Sequence, residues 1–159
     1  MANKLKSIPQ APRAITPYLT CRDAARAIDF YKRAFAAVET MRLADAQGRI
    51  GHAELLICGA PIMLSDENPD FGAISPQTLN GTSVAIHLYV EDADAIFNRA
   101  VAAGAIAVRP LRDEFYGDRT GTLVDPFGHR WFVASRIEEV SPEEMKKRYE
   151  ALIGGQAKS

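Results

Sequence analysis

The order of predicted elements in this 159-residue chain occurs twice, and this repeat is what most constrains the fold. Four pairs of positions keep one spacing of 69 residues: Tyr18 and His87, Asp23 and Asp92, Gly59 and Gly128, Met63 and Phe132. A repeated unit of this size indicates an internal duplication, in which each half buries apolar surface against its copy.

Each half is predicted to be a strand, a helix and three strands. Asp23 and Asp92 stand where helix N-caps belong, and apolar residues follow at helical spacing. The first half comprises strands over 15–20, 38–43, 50–57 and 62–65 with a helix over 24–37; the second comprises strands over 83–90, 106–109, 120–124 and 131–133 with a helix over 93–103. Val101 is predicted to lie on the buried face of the second helix.

These patterns predict one compact domain with four parts. A first βαβββ module spans 14–66, a linker loop rich in turn-forming residues spans 67–82, and a second βαβββ module spans 83–136. A C-terminal helix over 141–153 begins with Ser141 as its N-cap and Pro142 at the first helical position. The predicted class is α+β, with two four-stranded sheets that leave one face uncovered and can curve around a common cavity.

One turn in the second module has a clear mechanism. In Asp125-Pro126-Phe127-Gly128, proline presets φ, glycine tolerates a positive φ, and the aspartate side chain can cap nearby backbone amides. Trp131, on the strand that follows, is predicted to be core.

Composition excludes several classes of partner. The net charge of −1 and the pI near 6.3 give no basic surface for nucleic acid, and no apolar run is long enough for a membrane span. Cys21 and Cys58 lack metal-site spacing and are flanked by strand-like residues, so buried free thiols are expected in preference to a disulfide. The expected location is the cytoplasm.

Two segments stand out within the duplicated unit: Ala-Ile-Asp-Phe-Tyr-Lys-Arg-Ala-Phe in the first helix and Asp-Pro-Phe-Gly-His-Arg-Trp near the end. With them, the duplicated unit resembles the vicinal oxygen chelate superfamily, which contains glyoxalase I, bleomycin-resistance proteins, fosfomycin-resistance enzymes and extradiol dioxygenases. The resemblance covers roughly residues 14–136. Ile-Gly-His-Ala-Glu-Leu in a strand and Tyr-Gly-Asp-Arg-Thr-Gly, together with the final helix, are most similar to its PhnB-like branch. Membership implies the glyoxalase/bleomycin-resistance fold and a homodimer.

Many members of this superfamily hold a divalent metal between His and Glu ligands. The resemblance places those ligand positions at or near Thr16, Met63, Ala85 and Phe132 in this chain. None of the four carries an imidazole or a carboxylate, whereas such cations require nitrogen or oxygen donors. No cofactor is therefore expected.

Strand alternation places another set of polar residues on the cavity side. His52 and Glu54 share one face of their strand, with Ala53, Leu55 and Ile57 on the other, and the same reasoning directs Tyr18 and His87 into the cavity. His52, Glu54 and His87 form a set of candidates for metal binding or for acid–base chemistry. The alternatives are a hydrogen-bonded cavity histidine at His87, an exposed His52, and an ion pair of Glu54 with an arginine (Arg119 or Arg130).

Further candidates lie on the last strands and the loops. Arg130 is expected to share the cavity side with Phe132. Arg119 is interpreted either as the partner of Asp118 in a structural ion pair or as an anchor for an anionic ligand. Aromatic residues on loops, which contact ligands or a dimer partner more often than they pack alone, are Phe71, Phe115 and Tyr116.

Two functions follow from these candidates. The first is a metal-independent protein that binds a flat or amphipathic small molecule in a cavity lined by Tyr18, Met63, His87 and Phe132 together with the loop aromatics. The second is a metal-dependent lyase, isomerase or dioxygenase that uses His52, Glu54 and His87. In both cases a homodimer is expected, because each half leaves edge strands to be covered by association, by loops or by the C-terminal helix.

Overall fold

The computed structural model describes residues 15–156 and contains the two predicted βαβββ units. In the first unit the elements are β1 (Tyr18–Cys21), α1 (Ala24–Phe35), β2 (Val38–Ala44), β3 (Ile50–Ile57) and β4 (Ala60–Asp66). In the second they are β5 (Ala85–Tyr89), α3 (Ala93–Ala103), β6 (Ile106–Asp113), β7 (Asp118–Val124) and β8 (Arg130–Arg136). The predictions that concern residues 1–14 lie outside the described part of the chain.

The segment between the modules has structure of its own. A 3₁₀ turn spans Pro69–Phe71, and the short helix α2 spans Pro76–Leu79 with Ser75 as its N-cap. These turns were not predicted, because proline and asparagine mark the segment as irregular without showing which three or four residues close a hydrogen bond.

Each module folds into a four-stranded mixed sheet with the same order. The orders are β1-β4-β3-β2 and β5-β8-β7-β6, so among the described strands β1 and β5 are edge strands, each paired in parallel with a single neighbour. Tyr18 lies opposite Met63, and His87 lies opposite Phe132. The predicted duplication and the α+β fold class are therefore confirmed, down to these registered positions.

The two long helices begin as the sequence predicts. The Asp23 carboxylate accepts a hydrogen bond from the Arg26 amide, and the Asp92 carboxylate accepts one from the Ala95 amide. The helices also contact each other, and the Arg99 guanidinium donates to the Ala34 carbonyl across this contact. The prediction for Val101 is wrong, because it is 40% exposed on α3.

A buried carboxylate joins the two modules. Asp125 Oδ1 accepts from the amides of Phe127 and His129, which is the predicted cap of the Asp-Pro-Phe-Gly turn. Its Oδ2 accepts from Tyr31 Oη of α1 at 2.7 Å and from Trp131 Nε1 of β8 at 2.9 Å. Trp131 is fully buried, as predicted, and this junction is part of one continuous core.

The two cysteines differ from each other. Cys21 is a buried free thiol, and burial raises its pKa. Cys58 is also free but exposed, so its predicted burial is wrong. It lies with Gly59 in the two-residue turn between β3 and β4, where both residues have positive φ, and this turn holds the side chain away from the core.

The C-terminal helix α4 (Pro142–Gln156) packs on the second module of its own chain. Arg148 forms an ion pair with Glu138 and donates to the Phe115 carbonyl, while the rings of Tyr149 and Phe115 are 5.8 Å apart. Within residues 15–156, no helix has the length and apolar character to cross a membrane.

Candidate functional site

Within residues 15–156, helices cover one face of each sheet and leave the other uncovered, and we call this second face the open face. On β3, Ala53, Leu55 and Ile57 are buried against the core, whereas His52 and Glu54 are partly exposed on the open face. The alternation predicted from the sequence is therefore present.

On the open face of the first sheet, three side chains form a hydrogen-bonded chain. Tyr18 Oη lies 2.8 Å from His52 Nδ1, and His52 Nε2 lies 3.3 Å from Glu54 Oε1. With the Tyr18 hydroxyl donating to Nδ1, the Nε2–H donates to the carboxylate, and a proton can pass along the chain. Glu54 thus pairs with His52, and the predicted ion pair with Arg119 or Arg130 is not formed.

On the open face of the second sheet, the repeat mate of Tyr18 has different surroundings. The His87 ring makes no hydrogen bond with another described side chain; its centroid lies 4.6 Å from that of Tyr89 and 5.9 Å from that of Phe132. The prediction of a hydrogen-bonded histidine at this position is wrong, since the side chain is exposed and contacts rings instead.

The buried carboxylate of Asp118 orders the end of this face. It accepts a hydrogen bond from Tyr89 Oη, and this bond raises the pKa of Tyr89. Arg136 Nε lies 3.4 Å from the same carboxylate, and its guanidinium lies over the Tyr89 ring. Sequence reasoning missed Tyr89, although the two-residue period that selected His87 also places Tyr89 on this face.

A cavity of about 710 Å³ lies where the edge strands β1 and β5 approach each other. Its lining comes from β1, α2, β5, the start of β8 and the segments next to these elements: Pro17, Tyr18, Leu19, Thr20, Ile74, Pro76, Leu79, Gly81, Thr82, Ser83, Val84, Ala85, Ile86, His87, His129 and Arg130. The lining is largely apolar, and it brings together the predicted site residues Tyr18, His87 and Arg130.

His129 closes the inner side of this cavity. Its Nε2 lies 3.1 Å from the Thr20 carbonyl and 3.8 Å from Cys21 Sγ, and burial lowers its pKa. A neutral imidazole with a proton on Nε2 donates to the carbonyl and fixes β1 beside β8. The role of His129 at this contact is therefore structural.

Arg119 is neutralised by its neighbours. Its guanidinium donates two hydrogen bonds to Asp94 on α3 and a third to Asp113, which raises the pKa of Arg119. The predicted ion pair of Arg119 with Asp118 is therefore wrong, since Asp118 bonds to Tyr89 and Arg136 on the opposite side of β7.

Besides His52, Glu54 and Arg119, four further predicted site residues do not line the cavity. Met63 and Phe132 lie on the open faces, in register with Tyr18 and His87. Phe71 is 87% exposed and borders a separate hollow beside β2 and β3, and Tyr116 packs its ring against Phe115. Their contact with a ligand remains a prediction.

The residues present do not fit the metal site of the related enzymes. Met63 and Phe132 supply a thioether and a phenyl ring, and neither gives the hard donors that a divalent cation of this kind requires. Across the described residues, no group of three or more His, Cys, Asp or Glu side chains is placed to hold a metal ion, so His52, Glu54 and His87 do not assemble within one chain.

The fold and the cavity define a duplicated βαβββ protein with an open, concave site. The family model described as the Glyoxalase/Bleomycin resistance protein/Dioxygenase superfamily matches residues 14–133. The chain belongs to this superfamily.

Individual relatives agree with this assignment. An uncharacterized protein of Mycobacterium bovis is 45% identical over 136 residues, covering 84% of this chain and 90% of the relative. The crystal structure of TioX from Micromonospora sp. ML1 has 30% sequence identity and a TM-score of 0.63, and the match covers 77% of this chain and 97% of that one.

A PhnB protein from Bacillus cereus shares the fold at 20% identity, with a TM-score of 0.61 over 77% of this chain and 99% of that one. The resemblance to the superfamily is thus confirmed, and a PhnB protein is among the structural neighbours.

Proposed function

We propose that this chain binds a small, flat or amphipathic molecule in the cavity between its modules, without a metal at the four superfamily ligand positions. The observation that carries the proposal is the cavity of about 710 Å³, which has a largely apolar lining with few polar groups. Small-molecule sites have volumes of about 300–1,000 Å³ and this kind of lining.

The test uses the neutral dye N-phenyl-1-naphthylamine, whose fluorescence rises in apolar sites. We expect saturable binding to the wild type and loss of binding in Ala85→Trp, because Ala85 lines the cavity and an indole there fills it. Ala102→Trp is the matched control, since Ala102 is exposed on α3 and does not line the cavity. Absence of saturable binding, or equal binding by both variants, would contradict the proposal.

We also propose that the protein forms a homodimer through the open faces. Apolar side chains are exposed on β2 of the first sheet (Val38, Met41 and Leu43) and on the second sheet (Tyr89, Ile106 and Val108). Large apolar side chains that are exposed together on one surface mark an association site. A second copy that covers the first sheet with its second sheet would bury both sets and enclose the ligand.

Sedimentation velocity tests the dimer. Leu43→Glu places a charge on the first open face and is expected to give monomers, whereas Gln47→Glu, in the exposed turn after β2, is expected to stay dimeric. A wild type that sediments as a monomer at micromolar concentration would contradict this proposal.

A second candidate function is a metal-dependent lyase, isomerase or dioxygenase that uses His52, Glu54 and His87. The observation that favours it is the Tyr18–His52–Glu54 hydrogen-bonded chain, which has the arrangement of an acid–base relay. His87 lies on the other sheet, so this reading requires the partner copy to supply it.

Elemental analysis of protein purified without chelators distinguishes the two functions. Near-stoichiometric zinc, nickel, manganese or iron that is lost in His87→Ala supports the enzyme. A metal-free, folded dimer whose dye affinity changes only modestly in His87→Ala supports the binding protein.

A further inference from the structure

The cavity contains one full charge that nothing in the described chain neutralises. Arg130 is exposed at the cavity wall, and its guanidinium makes no hydrogen bond or ion pair with another described residue. The cavity lining includes no Asp or Glu. The side-chain charge that Arg130 brings to the lining of this apolar site is therefore not offset by a carboxylate of the lining.

The other arginine that the sequence offered as an anion anchor shows the contrast. Arg119 also lies on a strand of the second sheet, but Asp94 and Asp113 use its donors. Arg130 keeps all five N–H donors available, in the planar arrangement that matches the oxygens of a carboxylate, sulfonate or phosphate group.

The neighbours of Arg130 supply the rest of a subsite. Ala85 lies directly opposite Arg130 in the β5–β8 register, with a side chain too small to block the guanidinium, and His87 lies two residues further along the same face. The rings of His87, Tyr89 and Phe132 continue from there as a surface suited to a flat body.

We propose that the ligand of this cavity carries an anionic group that Arg130 binds, while its apolar body extends from the cavity past His87 onto the adjoining rings of Tyr89 and Phe132. This inference rests on the proposed binding function and deepens it, because it names the ligand class as an amphipathic organic anion. A charged hydrogen bond at the edge of an apolar site is stronger than a neutral one, so Arg130 selects acids over uncharged analogues of the same shape.

The test compares two dyes with the same aromatic skeleton. 8-Anilinonaphthalene-1-sulfonate carries a sulfonate that N-phenyl-1-naphthylamine lacks, and both fluoresce in apolar sites. We expect the wild type to bind the sulfonate more tightly, Arg130→Gln to lose on the order of tenfold in affinity for the sulfonate, and its affinity for the neutral dye to stay within about twofold. The sulfonate affinity of the wild type should also fall as salt is added.

Arg26→Gln is the matched control, since Arg26 is an exposed arginine on α1 whose side chain has no partner among the described residues and does not line the cavity. It should change neither affinity. Circular dichroism and thermal melting of both variants should match the wild type, which checks that they are folded.

The outcomes separate the two proposals. Saturable binding of the neutral dye together with an unchanged sulfonate affinity in Arg130→Gln would overturn the anion subsite and leave the binding function in place. An equal loss for both dyes would also overturn it, because packing and not charge would then be the cause. Failure of both dyes to bind the wild type would overturn the proposed function and this inference with it.

Competition experiments then identify the kind of anion. Displacement of the sulfonate dye by 2-naphthoate but not by decanoate assigns an aromatic acid, and the reverse assigns a fatty acid. 2-Naphthamide has the shape of 2-naphthoate without its charge. It should therefore compete equally with the two dyes and show no preference for displacing the sulfonate dye.

Discussion

The two modules have the same strand order, the same helix caps and the same register, yet their open faces differ chemically. In the first, Tyr18 is hydrogen bonded to His52, which in turn contacts Glu54. In the second, the repeat mate His87 lies among rings, and the nearby Arg130 has no partner in the described chain. The difference shows that packing and caps retain the backbone positions, whereas side chains on the open faces, which no helix of the described chain covers, are free to diverge.

The largest expected effect concerns Asp125, which joins the modules. Asp125→Ala leaves the buried donors of Tyr31 and Trp131 without an acceptor, so the free energy of unfolding should fall by about 3–5 kcal/mol. Asp45 accepts from the amides two and four residues further on, as Asp125 does, but in an exposed turn of the first module. Urea unfolding of Asp45→Ala should show a decrease in the free energy of unfolding of about 1 kcal/mol or less. Similar decreases for Asp45→Ala and Asp125→Ala would mean that the hydrogen bonds of Asp125 to Tyr31 and Trp131 do not stabilise the fold.

The second-largest expected effect concerns two turn glycines, Gly48 and Gly117, which occupy equivalent positions of the two modules. Gly48 and Gly117 both have positive φ, but a Cβ on Gly48 meets open space, whereas one on Gly117 meets the Glu138 carbonyl and lies 2.9 Å from Val140 Cγ2. Thermal unfolding should show a decrease in the free energy of unfolding of about 1 kcal/mol for Gly48→Ala and of about 2–4 kcal/mol for Gly117→Ala. Equal decreases would show that the segment after β8, which contains Glu138 and Val140, moves aside without destabilising the fold.

The contact of the buried His129 with β1 predicts that the free energy of unfolding depends on pH. Burial lowers the pKa of His129, although the nearby Asp125 acts in the opposite direction, so the unfolded chain takes up a proton at a higher pH than the folded one. The contribution of neutral His129 to the free energy of unfolding is therefore fully present above about pH 6.5. It is lost as the pH falls below that value, by at most about 1.4 kcal/mol per pH unit.

Urea unfolding between about pH 7.5 and 5 should show this decline in the wild type and a weaker one in His129→Gln, whose amide can still donate to the Thr20 carbonyl. The same slope in both proteins would assign the decline to other groups.

The smallest expected effect distinguishes the two arginines of the second sheet. Arg119→Gln removes hydrogen bonds to Asp94 and Asp113, so its melting temperature should fall slightly at low salt and less at high salt. Arg130→Gln should leave the melting temperature unchanged, because no described partner is lost. A larger loss for Arg130→Gln than for Arg119→Gln would show that Arg130 is a structural residue.

The sequence predicted the fold well, because its signals are local and repeated. Asp23 and Asp92 act as caps within three residues, and the alternation along β3 separates His52 and Glu54 from the core. The hydrogen bond between Tyr18 and His52 joins residues 34 positions apart, so its partners depend on strand order, which local patterns do not encode.

The charges of the site were the least predictable part. Arg119 and Arg130 both occur on strands with polar neighbours, and nothing local shows that Asp94, 25 residues before Arg119, neutralises only one of them. In the same way, the neighbours of Cys58 in sequence are typical of a strand, while two positive φ values at the turn decide its exposure.

The position of Trp131 has a practical consequence for observing this molecule. It is the sole tryptophan in the sequence, it is fully buried, and its indole shares the Asp125 carboxylate with Tyr31, whose ring centroid lies 5.5 Å away. Its emission is therefore an intrinsic optical reporter of whether the helix of the first module remains docked on the second. A shift of that emission to longer wavelength would signal separation of the modules even while each sheet keeps its own circular dichroism.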